Sequence, residues 1–446
     1  MLVKNQTFLV LGVSKSGFSA AKYILDKGAK CYVYEELKSP KIDRAISELT
    51  ALGAKQINMS EVDSILSIID VLVISPGAPI NHELAVRAKE RGVRIVGELE
   101  FGFLQFSPPI VAITGTNGKT TTATLVDAIM KEAKKKSLLV GNVGVPISSK
   151  IKDADNDTVV IAEVSSFQLE SVSAFCPHVS CILNISPDHL ERHYTMDNYV
   201  YLKKRIFKNQ KESEYTVLNY DDSIIRDFLP EIKSKVLWVS VNERVEGAYL
   251  QNGKLYYYDE YVIDERELRL KGEHNVYNTL FAIAAAKLMG VSNDAIITAL
   301  KSFKGVRHRI EHVCTKNGVE FYNDSKATNT ASTISALQSM QRPTVLILGG
   351  SEKGESYINL FEKIKRSSVK HVVLTGASRF NMLDAAGKSG YSLVTVTSDF
   401  ADAVKIATMF TESGDNLLLS PACASFDSFD GYEERGDAFV KIVEGL

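Results

Sequence analysis

The string Ile113-Thr114-Gly115-Thr116-Asn117-Gly118-Lys119-Thr120-Thr121 constrains the chain more than any other, because its flanks leave it one local structure. The apolar run Ile110-Val111-Ala112-Ile113 leads into it, and Leu125, Ala128 and Ile129 recur at helical spacing after it. The stretch therefore reads as strand, tight glycine turn and helix. Such a turn offers backbone N–H groups and the positive end of a helix dipole to an anion. Lys119 can then reach a terminal phosphate, and the Thr120 hydroxyl can ligate Mg²⁺. Ile113 stands where the longer phosphate-loop pattern has its first glycine, so the match is to a shortened loop. The alternative is a glycine turn carrying an ordinary surface lysine.

The same alternation of short apolar runs and helical segments fills the chain. At 446 residues it exceeds one core, and roughly 150 residues per domain predicts about three, placed at 1–97, 98–305 and 306–446. The fold class expected is α/β throughout. In the first domain Phe8-Leu9-Val10-Leu11, Cys31-Tyr32-Val33-Tyr34 and Val71-Leu72-Val73-Ile74 alternate with helices, which predicts a Rossmann-like parallel sheet. Its first turn, Gly12-Val13-Ser14-Lys15-Ser16-Gly17, lacks the middle glycine of the dinucleotide fingerprint, and Glu35 follows where an acid could meet a ribose. A nucleotide diphosphate fits better than a nicotinamide cofactor; a turn that only tightens helix against strand is the alternative. Ser75-Pro76-Gly77 closes the third strand at the same edge. Phe106-Ser107-Pro108-Pro109 breaks the pattern, and strands at 110–114, 137–141, 158–164 and 179–185 open a central, mostly parallel phosphate-loop domain. Further strands are expected at 215–220 and 235–241, then a β-rich segment from Gly247 to Leu270 and a helix to Met289. In the third domain Asn317-Gly318 predicts a hairpin, and strands at 344–348, 371–375, 393–397 and 416–419 a second Rossmann-like α/β sheet.

Polar residues cluster at strand ends in the central domain: Asn142, Glu163 and Asp188-His189. Carboxyl ends of parallel strands share one side of the sheet, which gathers Glu163, His189 and Lys119 around one crevice. Glu163 suits Mg²⁺, which takes one or two carboxylates beside waters and phosphate oxygens, and His189 is a less usual donor. A metal-free carboxylate and a helix-start histidine are the plainer readings. Asn275 is an N-cap candidate, with Asn278 one turn further in. Lys203-Lys204-Arg205 reads by default as a solvated basic patch. Lys353 beside Gly349-Gly350 suits an anion, with a surface lysine on a turn as the alternative. A net charge of −2 gives no field for nucleic acid or anionic membrane as main partner, and no apolar run approaches the ~20 residues that span a bilayer. The first residues lack a secretory pattern, so the expected location is cytoplasmic. The five cysteines form no C-x-x-C pair, which favours reduced thiols over zinc or disulfides.

Several strings occur together in an order that resembles the Mur ligases, the ATP-dependent amino acid ligases of peptidoglycan precursor synthesis. They are Gly115 to Thr121, Glu163-Val-Ser-Ser166, Asp188-His189, Gly272-Glu-His-Asn275, Arg307-His-Arg309 and Asn323-Asp-Ser-Lys326-Ala-Thr328. The opening Gly12 to Gly17, the Ser75-Pro76-Gly77 turn and Leu419 to Asp427 resemble the branch of the family that adds D-glutamate. The resemblance implies that Gly115, Thr116, Asn117, Gly118, Lys119, Thr120 and Thr121 hold ATP phosphates. It implies Mg²⁺, two ions in all, on Thr120, Glu163 and His189, and on Lys203 once CO₂ has carbamylated it. Asn275 and Asn278 would lie near adenine, and Arg309, Asp324 and Lys326 near the ribose and γ-phosphate. Thr328, Lys353, Ser425 and Tyr432 would form a D-glutamate pocket, Tyr432 replacing the phenylalanine of some members. Ser14, Lys15, Ser16, Ser75, Pro76, Gly77 and Asn142 would contact UDP-N-acetylmuramoyl-L-alanine, while Glu35-Glu36-Leu37 lacks the arginine some members place beside uridine. The catalytic set so implied is Lys119, Glu163, His189 and Lys203, in a monomer. Another Mur enzyme, a folate polyglutamating enzyme, a phosphate-loop ATPase and a nucleotide-sugar sensor are the alternatives. Because the ATP loop and Lys326 fall in different domains, the third domain is expected to close over bound ATP. Small-angle scattering should then show compaction when ATP and the muramoyl nucleotide are added together, and an unchanged radius of gyration would refute closure.

Overall fold

The structure is a computed structural model that describes residues 3–142, 145–270, 272–352 and 356–446. Its backbone divides into two compact units, Met1–Phe303 and Lys304–Leu446. The expected α/β architecture is present in both, on three sheets.

In the first unit a five-stranded parallel sheet runs in the order Lys55–Gln56, Lys30–Tyr34, Thr7–Leu11, Val71–Ile74, Arg94–Gly97. The chain order reverses at Thr7–Leu11, the switch at which open sheets bind ligands. There the helix Lys15–Asp26 packs so close that a Cβ on Gly17 would stand 1.7 Å from the Gly12 carbonyl oxygen. Glycine at 17 is thus a packing requirement, whatever the turn also binds.

The second sheet has nine strands. Pairing is parallel from Ser137–Gly141 through Val159–Glu163, Ile110–Thr114, Val179–Ile182, Tyr215–Asn219 and Lys235–Ser240 to Gly247–Gln251. It becomes antiparallel over Lys254–Tyr257 and Glu260–Asp264. Strand side chains alternate between faces, and both faces of this sheet are covered. Val111 and Ile113 join Ile161, Leu125, Ile129 and Leu280 in one core, whereas Ile110 and Ala112 join Val160, Ala162 and Phe175 in another. That is why the phosphate-loop strand reads as an unbroken apolar run rather than an alternating one.

A short helix, Glu98–Phe103, links the two sheets. Its acids are buried. Glu98 accepts from the Ser148 N–H at 2.8 Å and the Ser148 hydroxyl at 2.6 Å, and burial pushes its carboxyl up to about 7. Glu100 accepts from the backbone N–H groups of Ser173, Ala174 and Phe175 at 3.0, 2.8 and 3.0 Å.

The second unit carries a six-stranded sheet in the order Glu311–Lys316, Val319–Asn323, Asn416–Leu419, Thr344–Gly349, Val369–Thr375, Val394–Val396. Only the first pairing is antiparallel. It is the Asn-Gly hairpin, with positive φ at Asn317 (51°) and Gly318 (79°) as a tight turn between twisted strands demands.

Two local expectations are corrected. Asn275 is no N-cap: the helix runs Glu273–Leu288, Gly272 occupies the cap at φ 96°, and Asn275 lies inside the first turn. The helix expected over 197–209 is Met196–Lys204, followed by turns. Among the described residues no helix is long and apolar enough to cross a membrane.

Replacing Glu100 by Ala would leave three N–H groups without their acceptor, at a cost of about 3 kcal/mol. Urea unfolding of the variant should show that loss in the Met1–Phe303 unit, and Glu100→Gln should recover only part of it, because its NH₂ replaces one of the two accepting oxygens.

Candidate active site

The turn between Ile110–Thr114 and the helix Lys119–Glu132 is shaped by Gly118, whose φ is 83° and whose added Cβ would lie 2.3 Å from Asn278 Oδ1. Only glycine fits there. Neighbouring strand ends hold the turn in place. Thr116 N donates to the Asn184 carbonyl at 3.0 Å, and Asn117 N donates to Asn184 Oδ1 at 2.8 Å. The Thr116 hydroxyl donates to the Ser186 carbonyl at 3.1 Å and meets the Tyr199 hydroxyl at 3.1 Å. Thr120 and Thr121 are buried on the first turn of the helix. Lys119 Nζ folds back to donate to the carbonyls of Gly115 at 2.8 Å and Thr116 at 2.7 Å.

Lys203 converges on the same loop. Its Nζ donates to the Gly115 carbonyl at 2.8 Å and lies 4.7 Å from the Tyr199 ring centroid, with the residue 1% exposed. Burial first, and then the charge of Lys119, hold its ammonium well below the ordinary lysine range, although Asp188 and Glu163 pull the other way. A lysine so placed loses its proton more readily than a solvated one.

Glu163 ends its strand beside the loop. It is 1% exposed, Oε1 accepts from Asn142 Nδ2 at 3.0 Å, and Oε2 has no hydrogen-bond partner. An unpartnered buried carboxylate oxygen is costly, and a hard cation is the natural occupant of its vicinity. Among the described residues no three His, Cys, Asp or Glu side chains group tightly enough to hold a metal by themselves. Mg²⁺ needs no such cage when phosphate oxygens and waters complete its shell, so Glu163 and the Thr120 hydroxyl fit it. His189 takes a left-handed backbone at φ 53°, at the start of the short helix Leu190–His193, and its ring lies 4.8 Å from that of Phe167. A non-glycine residue there is sparsely populated and marks a shaped loop. Asn275 and Asn278 are bonded to each other at 3.2 Å, and Thr122 donates to Asn278 Oδ1 at 3.2 Å, so both asparagines adjoin the phosphate-loop helix.

At the first sheet, Ser14 is the positional cap of Lys15–Asp26 but its hydroxyl makes no capping bond. Ser14 and Lys15 are exposed and Ser16 half-buried. The Ser75 hydroxyl donates to the Gly12 carbonyl at 2.7 Å, which fastens the third-strand turn to the first. The Glu35 carboxylate is already used, accepting from the N–H groups of Val13, Glu36 and Leu37 at 2.8 to 2.9 Å.

The second unit gathers the remaining candidates by itself. Asp324 accepts from the Ser420 hydroxyl at 2.7 Å and the Ile310 N–H at 3.2 Å, and burial pushes its carboxyl up to about 7 against the opposing charge of Arg309. Lys326 Nζ lies 5.6 Å from the Tyr432 ring centroid. Thr328 N donates to the Lys326 carbonyl at 2.9 Å, and the carbonyl of buried Ser425 accepts from Phe429 N at 2.8 Å. Lys353 lies outside the described residues. Arg435, which nothing in the sequence singles out, underpins this cluster. It is 2% exposed, and it donates to Ser325 Oγ and to the carbonyls of Ser325, Cys423 and Ala424 at 2.8 to 3.2 Å.

Comparison with known proteins matches residues 6–97 to the Mur ligase MurD-like N-terminal domain, 113–286 to the Mur ligase middle domain and 308–423 to the Mur ligase, glutamate ligase domain. Among curated proteins, the UDP-N-acetylmuramoylalanine--D-glutamate ligase of Thermoanaerobacter sp. (strain X514) is 40% identical over 453 residues, covering 100% of both chains. The protein of that name from Clostridioides difficile (strain 630) is 38% identical over 451 residues, again covering 100% of both. Among solved structures, UDP-N-acetylmuramate-alanine ligase MurC from Thermotoga maritima superposes with a TM-score of 0.63 at 17% identity, over 99% of this chain and 100% of that one. MurF ligase from Thermotoga maritima in complex with ADP gives 0.62 at 17% identity, over 100% and 99%. These likenesses extend over the full α/β architecture.

Asp324 gives the second unit a pH signature. Its folded value of about 7 exceeds the roughly 3.9 of an unfolded aspartate, so between those limits the folded chain holds a proton that the unfolded chain has released. Stability is then fully present below about pH 4 and falls as pH rises through about 7. Denaturant midpoints measured across that window should decline in the wild type and decline less in Asp324→Asn.

Proposed function

This chain belongs to the Mur ligase family, and from that premise we propose that it is an ATP-dependent ligase that joins D-glutamate to UDP-N-acetylmuramoyl-L-alanine. The observation that carries this is the end-to-end correspondence, at 40% identity over 100% of both chains, with a protein named for that reaction. The reaction serves peptidoglycan precursor synthesis and yields ADP and phosphate.

A carboxylate does not condense with an amine in water, because its oxygen is a poor leaving group. The γ-phosphate of ATP is moved to the L-alanyl carboxylate, and the D-glutamate amine then displaces phosphate from the acyl phosphate. Phosphoryl transfer of this kind asks for alignment and charge neutralisation rather than a protein nucleophile. The loop from Gly115 to Thr121 supplies backbone donors, and Lys119 leaves its two carbonyl partners for the phosphates when ATP arrives. Thr120, Glu163 and His189, with carbamylated Lys203, would hold Mg²⁺, which when bound neutralises phosphate charge. Asn275 and Asn278 would lie near adenine, and Arg309, Asp324 and Lys326 near the ribose and γ-phosphate. Ser14, Lys15, Ser16, Ser75, Pro76, Gly77 and Asn142 receive the muramoyl nucleotide, and Thr328, Lys353, Ser425 and Tyr432 the amino acid. The chain would work in the cytoplasm and as a monomer.

Lys203 is suited to carbamylation because CO₂ reacts with a neutral amine, and burial beside Lys119 favours that form. The ammonium first sheds one proton; the amine nitrogen then bonds to the CO₂ carbon and sheds a second, so that over the two steps a cation becomes a carbamate anion beside the phosphate loop.

Purified protein given ATP, Mg²⁺, UDP-N-acetylmuramoyl-L-alanine and D-glutamate should release phosphate and form the amide, and L-glutamate should not replace D-glutamate. No turnover with this set would overturn the assignment. Lys119→Ala should lower kcat by about 10²-fold or more. ¹³C-labelled bicarbonate should give a carbamate carbonyl resonance that Lys203→Arg abolishes.

A further inference from the structure

Arg192 spends its whole guanidinium on joining three segments that are remote in sequence. It forms a fork on Glu170, with Nε to Oε1 at 3.2 Å and Nη2 to Oε2 at 2.7 Å. Its Nη1 donates to the Pro76 carbonyl at 3.2 Å and reaches the Gly77 carbonyl at 3.5 Å, and Nη2 donates to the Ala78 carbonyl at 3.3 Å. The planar group also lies over the Phe167 ring, 4.4 Å from its centroid. Arg192 N in turn donates to the His189 carbonyl at 3.1 Å.

The partners are not scattered structural carbonyls. Pro76 and Gly77 belong to the turn proposed for the muramoyl nucleotide. Glu170 and Phe167 follow Glu163 on the same short stretch, and Phe167 packs on His189. His193, buried one residue past Arg192, reinforces the arrangement through Ser166 Oγ at 2.9 Å and Glu170 Oε1 at 3.6 Å. Arg192 therefore sits where the nucleotide-sugar turn of the first sheet meets the loops that bear Glu163 and His189. Only a bidentate planar cation can satisfy a carboxylate and a row of carbonyls together.

We infer that Arg192 is a positioning residue for the nucleotide-sugar substrate: it sets the Ser75–Gly77 turn against the Glu163 and His189 loops. This rests on the ligase function proposed above. Arg192 touches no reacting atom. Its side chain is 19% exposed, so water can reach the carbonyls when it is removed.

The test compares Arg192→Ala and Arg192→Lys with the wild-type full chain, reading separate KM values for ATP and UDP-N-acetylmuramoyl-L-alanine, kcat, and Tm. In Arg192→Ala the KM for the muramoyl nucleotide should rise about tenfold or more, while that for ATP stays within about twofold. Millimolar guanidinium should restore part of the lost affinity, and tetramethylammonium at the same concentration should not. Arg192→Lys, which keeps the charge but not the fork, should show the same split in smaller measure. If the Ala variant is insoluble, the Lys variant decides by the same criterion. Equal KM values in variant and wild type would overturn the inference, as would both KM values and Tm shifting together without guanidinium rescue. A wild type that turns over nothing would instead remove the proposed function and this inference with it.

Discussion

The carbonyl oxygen of Gly115 accepts from two lysines, Lys119 and Lys203, each at 2.8 Å. Two ammonium groups cannot share one acceptor without mutual repulsion, and the strain falls on the more deeply buried of them. Lys203 gives up its proton most readily because burial and Lys119 act in the same direction. The glycine loop is thereby braced by two lysines, one of which burial makes readier to lose its proton.

What surrounds this point follows from strand order. Ile110–Thr114 is flanked by Val159–Glu163 and Val179–Ile182, so the segments that follow those two strands, beginning at Glu163 and at Leu183, necessarily adjoin the loop. Asn184 clamps the loop by its backbone and Ser186 by the Thr116 hydroxyl, Glu163 adds a half-satisfied carboxylate, and the chain then turns at His189. Parallel pairing, not sequence proximity, assembles the set. The same pairing buries both faces of the sheet and leaves the strand ends as the only edge at which polar side chains can collect.

The sequence made the strand, the glycine turn and the helix around Lys119 readable because each has a local cause: an apolar run, a spacing, a recurrence. The Asn317-Gly318 hairpin was readable for the same reason. Asn275 misled because a good capping residue stood three places beyond a glycine that took the cap itself. Arg192, Arg435, Glu98 and Glu100 were not readable. Each acts on backbone groups from segments remote in the chain, and a carbonyl or N–H looks alike behind every side chain. The two buried acids of Glu98–Phe103 are hard to read because by composition they belong on a surface.

Arg435 bears on chirality. By binding the Cys423 and Ala424 carbonyls just before Ser425, and the Ser325 carbonyl, it ties down backbone beside the proposed amino acid pocket, which would leave less ordering entropy to lose on binding. A pliable pocket could shift to admit either mirror image of glutamate. Walls hung from one buried guanidinium would resist that shift, so a preference for one hand would rest on their stiffness as well as on the groups they display.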